Sequence, residues 1–128
     1  MAKITLLFAA LQSLLLLALL GRVSRLRHGR RIGFGDGNDP VLARAIRAHA
    51  NFVEHVPFAL LLLGLLELSG APRAWLWAFG GVLLIARLLH AIGLSRSSGA
   101  SFGRLYGTAL TWLVILAMAL AGLSRAFA

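Results

Sequence analysis

The sequence predicts an all-α integral membrane protein, a single domain over residues 1–128 with four transmembrane helices. Apolar residues make up 59% of the chain and charged residues only 13%, whereas a soluble domain is roughly 45–50% apolar and about 25% charged. The apolar residues lie in four runs, each about the 17–25 residues that a helix needs to cross a bilayer core. Because lipid cannot hydrogen-bond to open backbone groups, continuous runs of this length must be helical.

Three polar connections of unequal length separate the runs, which cover residues 4–20, about 52–68, 74–94 and 105–123. The first connection, from 21 to about 44, includes a Gly-rich stretch at 33–40 that cannot continue a helix. Asp39 followed by Pro40 is typical of an N-cap and a first helical residue, so the second helix should begin well before its apolar run. The other connections are a turn at 69–73 and a Ser- and Gly-rich segment at 95–103.

The first run has a second interpretation, because Lys3 followed by a Leu-rich stretch is also found in secretory signal peptides. The run is longer than the usual apolar core of about 7–15 residues. The sequence Leu20-Gly21-Arg22-Val23 also offers no small-x-small cleavage site. We therefore interpret the run as the first transmembrane helix.

The charge of the chain is strongly positive, at +9 from 13 Lys and Arg against 4 Asp and Glu. In a chain this apolar, such a charge indicates anionic lipid headgroups or an anionic ligand as partners, not nucleic acid. The first and third connections and their flanks carry nine basic residues: Arg22, Arg25, Arg27, Arg30, Arg31, Arg44, Arg47, Arg96 and Arg104. The other side has Lys3, Arg73 and Arg125. The positive-inside rule therefore places both Arg-bearing connections in the cytoplasm and both termini on the non-cytoplasmic side.

Polar residues inside the spans are the candidates for function. On the second helix, the spacing i, i+3, i+7 and i+10 puts four of them on one stripe: Arg44, Arg47, Asn51 and Glu54. On the third helix, Arg87 and His90 are three residues apart and share a face. An ionisable group inside a span costs several kcal/mol unless it is paired or faces a wet cavity. Glu54 and Arg87 lie at comparable depth on adjacent antiparallel helices, so we expect them to pair.

Two interpretations of these residues stay open at this point. One is an ion pair that holds helices together. The other is an Arg-lined pocket that opens toward the cytoplasm and takes a ligand with carboxylates, because guanidinium forks match carboxylates in a bidentate geometry. A metal site is not expected, since the chain has no cysteine and its four histidines are scattered without an HxxxH pair.

A longer motif surrounds the stripe. From Arg47 to Pro57 the chain carries the pattern Arg-Ala-x-x-Asn-x-x-Glu-x-x-Pro. It also has Arg25-Leu26-Arg27 toward the end of the first helix, Gly-Asp-Gly-x-Asp-Pro before the second, and Arg87-Leu88-Leu89-His90 on the third. Together these motifs resemble the MAPEG family, the membrane-associated proteins in eicosanoid and glutathione metabolism. That family includes microsomal glutathione transferases and small bacterial inner-membrane relatives.

The resemblance covers nearly the whole chain and implies a left-handed four-helix bundle, assembled as a homotrimer in the inner membrane. It implies glutathione as a co-substrate, bound between neighbouring subunits near the cytoplasmic side. By motif position the binding residues would be Arg25, Arg47, Asn51, Glu54, Arg87 and His90. Arg104 would stabilise the thiolate as a catalytic residue, with the neighbouring Tyr106 as a second catalytic candidate.

Two functions follow from the resemblance. The first is a glutathione-dependent transferase or peroxidase that conjugates or reduces lipophilic electrophiles arriving from the bilayer. The alternative is a non-catalytic member of the fold that binds lipid or a partner protein. A catalytic protein needs a donor or a cation at the thiol, so the region of Arg104 and Tyr106 discriminates between the two.

The distribution of basic residues makes a topology prediction. Reporter fusions should place both termini outside the cytoplasm and the loop at 33–40 inside, because nine basic residues flank the two connections on that side and three lie on the other. A C-terminus found in the cytoplasm would contradict the prediction.

Overall fold

The four predicted transmembrane helices are present in the structure, a computed structural model that describes residues 1–96 and 101–127. The helices are α1 (Lys3–Arg30), α2 (Pro40–Leu68), α3 (Arg73–Arg96) and α4 (Phe102–Ala126). All four are long and apolar enough to cross a membrane. The predicted all-α membrane fold is therefore confirmed at the level of its helices. Residues 97–100 of the predicted third connection lie outside the described residues.

Helix α1 is longer than its apolar run, and the first connection is correspondingly shorter than predicted. The helix continues past Leu20 to Arg30, and the connection covers only 31–39. The extension contains no proline, and Arg and Leu are good helix formers, so the loss of hydropathy marks the membrane surface and not the helix end. Arg31 then stops the helix in the left-handed conformation, at φ 55°.

Helix α2 begins as predicted, at Pro40 behind the N-cap Asp39. The Asp39 carboxylate accepts hydrogen bonds from the backbone N–H of Val41 at 2.8 Å and Leu42 at 3.0 Å. It also forms an ion pair with Arg30 at the end of α1. The pKa of Asp39 lies below its usual value, mainly because its carboxylate accepts a hydrogen bond from the backbone N–H of Leu42. The backbone N–H of Val41 and the side chain of Arg30 lower it further, whereas some desolvation opposes the shift. One carboxylate thus joins the end of α1 to the start of α2.

Helices α2 and α3 lie in the middle of the bundle, and α1 and α4 flank them. Within the described residues, α1 contacts α2 and α3 but not α4. The main core cluster is built from all four helices and includes Phe8, Leu63, Leu83 and Met118. Large apolar side chains such as Leu17 and Leu61 point outward instead, with 61% and 57% of their surface exposed. Such surfaces are suited to lipid and not to water.

Polar contacts between helix ends hold the opposite side of the bundle together. Glu67, near the end of α2, accepts hydrogen bonds from the N–H of Ile4 at 2.9 Å and Thr5 at 2.7 Å, and so caps the start of α1. Arg125, near the end of α4, donates to the hydroxyl and the carbonyl of Ser69. The start of α1 and the end of α4 therefore lie beside the α2–α3 turn, and the loop at 31–39 lies at the other end of the bundle.

Helices α3 and α4 approach each other through glycines. A Cβ built on Gly107 would lie 2.6 Å from the backbone N of His90 and 2.7 Å from the carbonyl O of Ala86. A Cβ on Gly103 would lie 2.6 Å from the carbonyl O of Leu89. The Gly103-x-x-x-Gly107 spacing puts both glycines on one face of α4, as in helix pairs that pack closely within membranes. The absence of these side chains lets the polar face of α3 lie directly against α4.

This close approach predicts opposite effects for two substitutions on the same helix. Gly107→Ala should destabilise the bundle by about 1–3 kcal/mol, because the new methyl group meets backbone atoms that cannot move aside. Gly122→Ala should be neutral or stabilising by about 0.5–1 kcal/mol, since its Cβ would meet only Leu62 Cδ1 at an ordinary 3.7 Å. Thermal unfolding in detergent measures both, and equal effects would contradict the packing argument.

Candidate functional site

Arg87 is the most deeply buried charged residue of the polar cluster, with 1% of its surface exposed. One guanidinium nitrogen, Nη2, donates to Oδ1 of Asn51 on α2 at 2.7 Å. Nη1 makes a longer contact, 3.5 Å, with the hydroxyl of Thr111 on α4. The guanidinium also lies over the ring of Phe52, 5.8 Å from its centroid. One side chain from α3 therefore makes polar or cation–π contacts with both neighbouring helices.

The expected pair between Glu54 and Arg87 is wrong. Glu54 is half exposed, and its partner is Arg47, with Nη1 and Oε1 separated by 3.6 Å. Residues two positions apart in a helix project about 200° apart around its axis. Glu54 therefore faces away from Phe52 and from the guanidinium beside it. The neutral amide of Asn51 occupies the place expected for the carboxylate, and the positive charge of Arg87 has no acidic partner among the described residues.

His90 shares the buried face of Arg87 and has 3% of its surface exposed. It lies against Gly107 of α4, one helical turn from Arg87 on the same face of α3. No partner within the described part of the chain reaches Nδ1 of His90 or Nε of Arg87, although both atoms are buried. Buried polar atoms are normally hydrogen-bonded, so these two nitrogens are candidates for contact with a ligand or with water.

The other predicted site residues lie at or near the surface of the subunit. Arg47 and Glu54 are exposed on the outer side of α2. Arg104 is exposed in the first turn of α4, and the stacking contact of Tyr106 is with Phe102, 4.3 Å between ring centroids. Arg25 is exposed on α1, about 200° around the helix from Val23, which packs toward α2. One subunit thus brings together Asn51, Arg87 and His90, but not Arg25 or Tyr106.

Sequence reasoning predicted Arg104 and Tyr106 on α4 but missed Thr111 and Trp112 of the same helix. Thr111 is fully buried and donates its hydroxyl hydrogen to the Gly107 carbonyl at 2.7 Å, leaving its oxygen to face Arg87. Trp112, the next residue, donates its indole N–H to Nε2 of His55 at 3.3 Å. Because Nε2 accepts this bond, Nδ1 carries the proton and donates to the Asn51 carbonyl at 2.8 Å. The spacing of Gly103, Gly107 and Thr111 at every fourth residue was the signal that could have identified this face.

The electrostatics of the cluster favour an anion. Arg87 is buried without an acidic partner among the described residues. Arg47 and Arg104 add positive charge at the surface, one helical turn before Asn51 and Gly107, and Glu54 is the only acidic residue of the stripe. Removing the Arg87 charge from water is costly unless opposite charge is nearby. A ligand with carboxylates would supply that charge, and guanidinium groups bind carboxylates with directional hydrogen bonds.

Comparison with known proteins identifies the relatives of this chain. Residues 5–124 match the model of the MAPEG family. The chain is 38% identical over 117 residues to Inner membrane protein YecN of Escherichia coli K12, an alignment that covers 91% of this chain and 88% of that protein. YecN of Escherichia coli O6:H1 matches equally well. The chain therefore belongs to the MAPEG family.

Proposed function

We propose that the protein is a membrane-bound glutathione-dependent transferase or peroxidase that acts on lipophilic electrophiles. The observation that carries this proposal is the buried Arg87 guanidinium, which has no acidic partner among the described residues and lies one helical turn from His90, whose buried Nδ1 also lacks a partner there. Membership of the MAPEG family, whose members include glutathione transferases, supports glutathione as the proposed anion. Glutathione carries two carboxylates and one amino group, which matches a site of several guanidinium groups and a single carboxylate.

The binding roles follow from where each side chain lies. Arg47 and Arg87 would bind the glutathione carboxylates, and Glu54 would bind its amino group. Asn51 would hold the Arg87 guanidinium in place through the bond of 2.7 Å. His90 would offer its buried Nδ1 to the peptide part of the ligand, because that atom lacks a partner in the described subunit.

Arg25 would reach this site only from another copy of the chain, since it faces away from α2 in its own subunit. The exposed charges of Arg47 and Glu54 favour the same arrangement, because charged side chains on a span are costly against lipid. We therefore propose that the protein is a homotrimer with glutathione bound between subunits. Native mass spectrometry that finds only monomers in mild detergent would argue against this assembly.

Activation of the thiol is the chemical step that the site would perform. A thiol of pKa about 8.5 is mostly protonated at neutral pH, and a nearby guanidinium favours the thiolate. Arg104 would supply this charge at the start of α4, and the released proton would go to water. In conjugation the thiolate forms a bond from sulfur to carbon as the leaving group departs. In peroxide reduction, two glutathione molecules are oxidised to the disulfide as the hydroperoxide is reduced to an alcohol and water.

The lipophilic partner would arrive from the bilayer. The relative YecN is described as an inner membrane protein, and four helices of this chain are long and apolar enough to cross a membrane. We place the protein in the inner membrane on these grounds. A substrate dissolved in the lipid would approach the exposed side of α2, where Glu54 and Arg47 interrupt an otherwise apolar surface.

The alternative function is a non-catalytic membrane protein that binds lipid or a partner protein through the same fold. One observation favours it: the Tyr106 ring stacks on Phe102 at the surface, with 49% of the residue exposed. The ring contact of Tyr106 is thus with Phe102 and not with the buried residues Arg87 and His90. In this alternative, the arginines would serve only to bind an anion.

Calorimetry and turnover together test the proposed function. Detergent-purified protein should release or absorb heat on titration with reduced glutathione, and should conjugate it to a chlorodinitrobenzene or reduce a lipid hydroperoxide with it. Arg104→Ala should lower turnover by about tenfold or more, a loss of roughly 1.4 kcal/mol or more of thiolate or transition-state stabilisation. Its melting temperature should stay close to that of the wild type, since Arg104 is exposed.

Arg73→Ala is the matched control, because it removes the same charge at the opposite end of the bundle. It should leave turnover unchanged. No heat at millimolar glutathione, or heat without turnover for either substrate, would support the non-catalytic alternative. Full activity of Arg104→Ala in a protein that consumes glutathione would show that Arg104 does not activate the thiol.

A further inference from the structure

A second basic surface lies at the end of α1, away from the site described above. It is a groove of about 650 Å³ formed by the last turns of α1 and the start of the following loop. Its lining residues are Ser24, Arg27, His28, Arg31, Ile32 and Gly33. None of these residues has a role in the proposed glutathione site, and the lining includes no acidic residue.

The chain builds this groove by folding the loop back toward α1. Nη1 of Arg27 donates to the Gly35 carbonyl at 2.7 Å and to the Ile32 carbonyl at 3.4 Å. Arg31, in the left-handed conformation, ends the helix and turns the chain. Arg27 therefore has a structural role as well as a charge, whereas Arg31 and His28 are exposed.

The same stripe of α1 is apolar one turn deeper. Leu17, Leu20, Ser24 and His28 follow one another at three- and four-residue spacing, which puts them on one face of α1, and Arg31 follows at the C-terminal end of the helix. Leu17 is 61% exposed and Leu20 is 46% exposed. The surface therefore changes from exposed leucine to a hydroxyl and then to the guanidinium groups of Arg27 and Arg31, in the order in which a phospholipid presents its acyl chains, glycerol and phosphate.

We propose that this groove binds the headgroup of an anionic phospholipid. The acyl chains would lie along Leu17 and Leu20, the phosphate would accept hydrogen bonds from Arg31 and Arg27, and Ser24 would contact the glycerol region. Guanidinium groups form charge-assisted bonds with phosphate oxygens. The lipid must carry a net negative charge, because a zwitterionic headgroup has a cation of its own, which the guanidinium groups of the groove would repel.

Lipid binding to the purified, detergent-solubilised protein tests this proposal by native mass spectrometry. Phosphatidylglycerol should bind at least tenfold more tightly than phosphatidylcholine with the same acyl chains. Each cation near an anionic membrane surface contributes a factor of about five. Arg31→Gln should therefore weaken phosphatidylglycerol binding about fivefold, and Arg27→Gln combined with Arg31→Gln about 25-fold. If the loss of Arg27 disturbs the loop, the Arg31→Gln variant alone still tests the proposal.

Arg73→Gln is the charge-matched control and should change the affinity less than twofold. Inorganic phosphate at millimolar concentration should not displace the lipid, because it lacks the acyl chains. The proposal is overturned if phosphatidylcholine binds equally well, or if Arg31→Gln binds like Arg73→Gln. Displacement by inorganic phosphate would identify a free-anion site instead, and absence of lipid binding in the wild type would mean that something else, such as a second copy of the chain, covers this face.

Discussion

The burial of the Arg87 guanidinium is the constraint on which the rest of the bundle depends. A charged group deep inside a span is costly unless its hydrogen bonds are satisfied. Here the partners come from both neighbours of α3: Asn51 on α2 and Thr111 on α4, with the ring of Phe52 against the cation. These contacts fix the rotation of three helices about their own axes, because each side chain must face the same point.

The glycines of α4 make this arrangement possible. Gly107 brings the α4 backbone against the backbone of α3 at His90, and one turn later the hydroxyl of Thr111 lies within reach of the guanidinium. This packing leaves a cluster with more positive than negative charge, because the partner of Arg87 is the neutral amide of Asn51, which does not balance the charge. The proposed anion site follows from this imbalance, since an anionic ligand would stabilise the Arg87 charge, which has no acidic partner among the described residues. The proposed assembly follows from the exposure of Arg47 and Glu54 on α2.

The sequence predicted those features that depend on residues close together in the chain. The four spans follow from runs of apolar residues, and the start of α2 follows from Asp39 and Pro40, because an N-cap is a local interaction. The end of α1 was misplaced because hydropathy measures contact with lipid, whereas the helix continues into water or headgroups until Arg31 stops it. Of the motif residues, Asn51 and Arg87 are in contact, whereas the pair expected between Glu54 and Arg87 does not form.

Contacts between helices depend on how far each helix is rotated about its own axis. The spacing of residues in the sequence defines that rotation only loosely. Asn51 and Glu54 share a stripe, yet only Asn51 turns far enough toward α3 to reach Arg87. Tyr106 illustrates the same limit: it is two residues from Arg104 but stacks on Phe102 at the surface. Such directions are determined by where neighbouring helices pack, and that information lies in small residues such as Gly103 and Gly107.

A double-mutant cycle between Asn51 and Arg87 tests the central claim most directly. Asn51→Leu alone strands a buried charge and should destabilise the bundle by about 3–5 kcal/mol, measured by unfolding in detergent. The double variant, in which Arg87→Met also removes the charge, should lose much less free energy of unfolding than the sum of the losses of the two single variants. Strictly additive effects, or an Asn51→Leu variant as stable as the wild type, would contradict the account, because Arg87 would then not depend on Asn51.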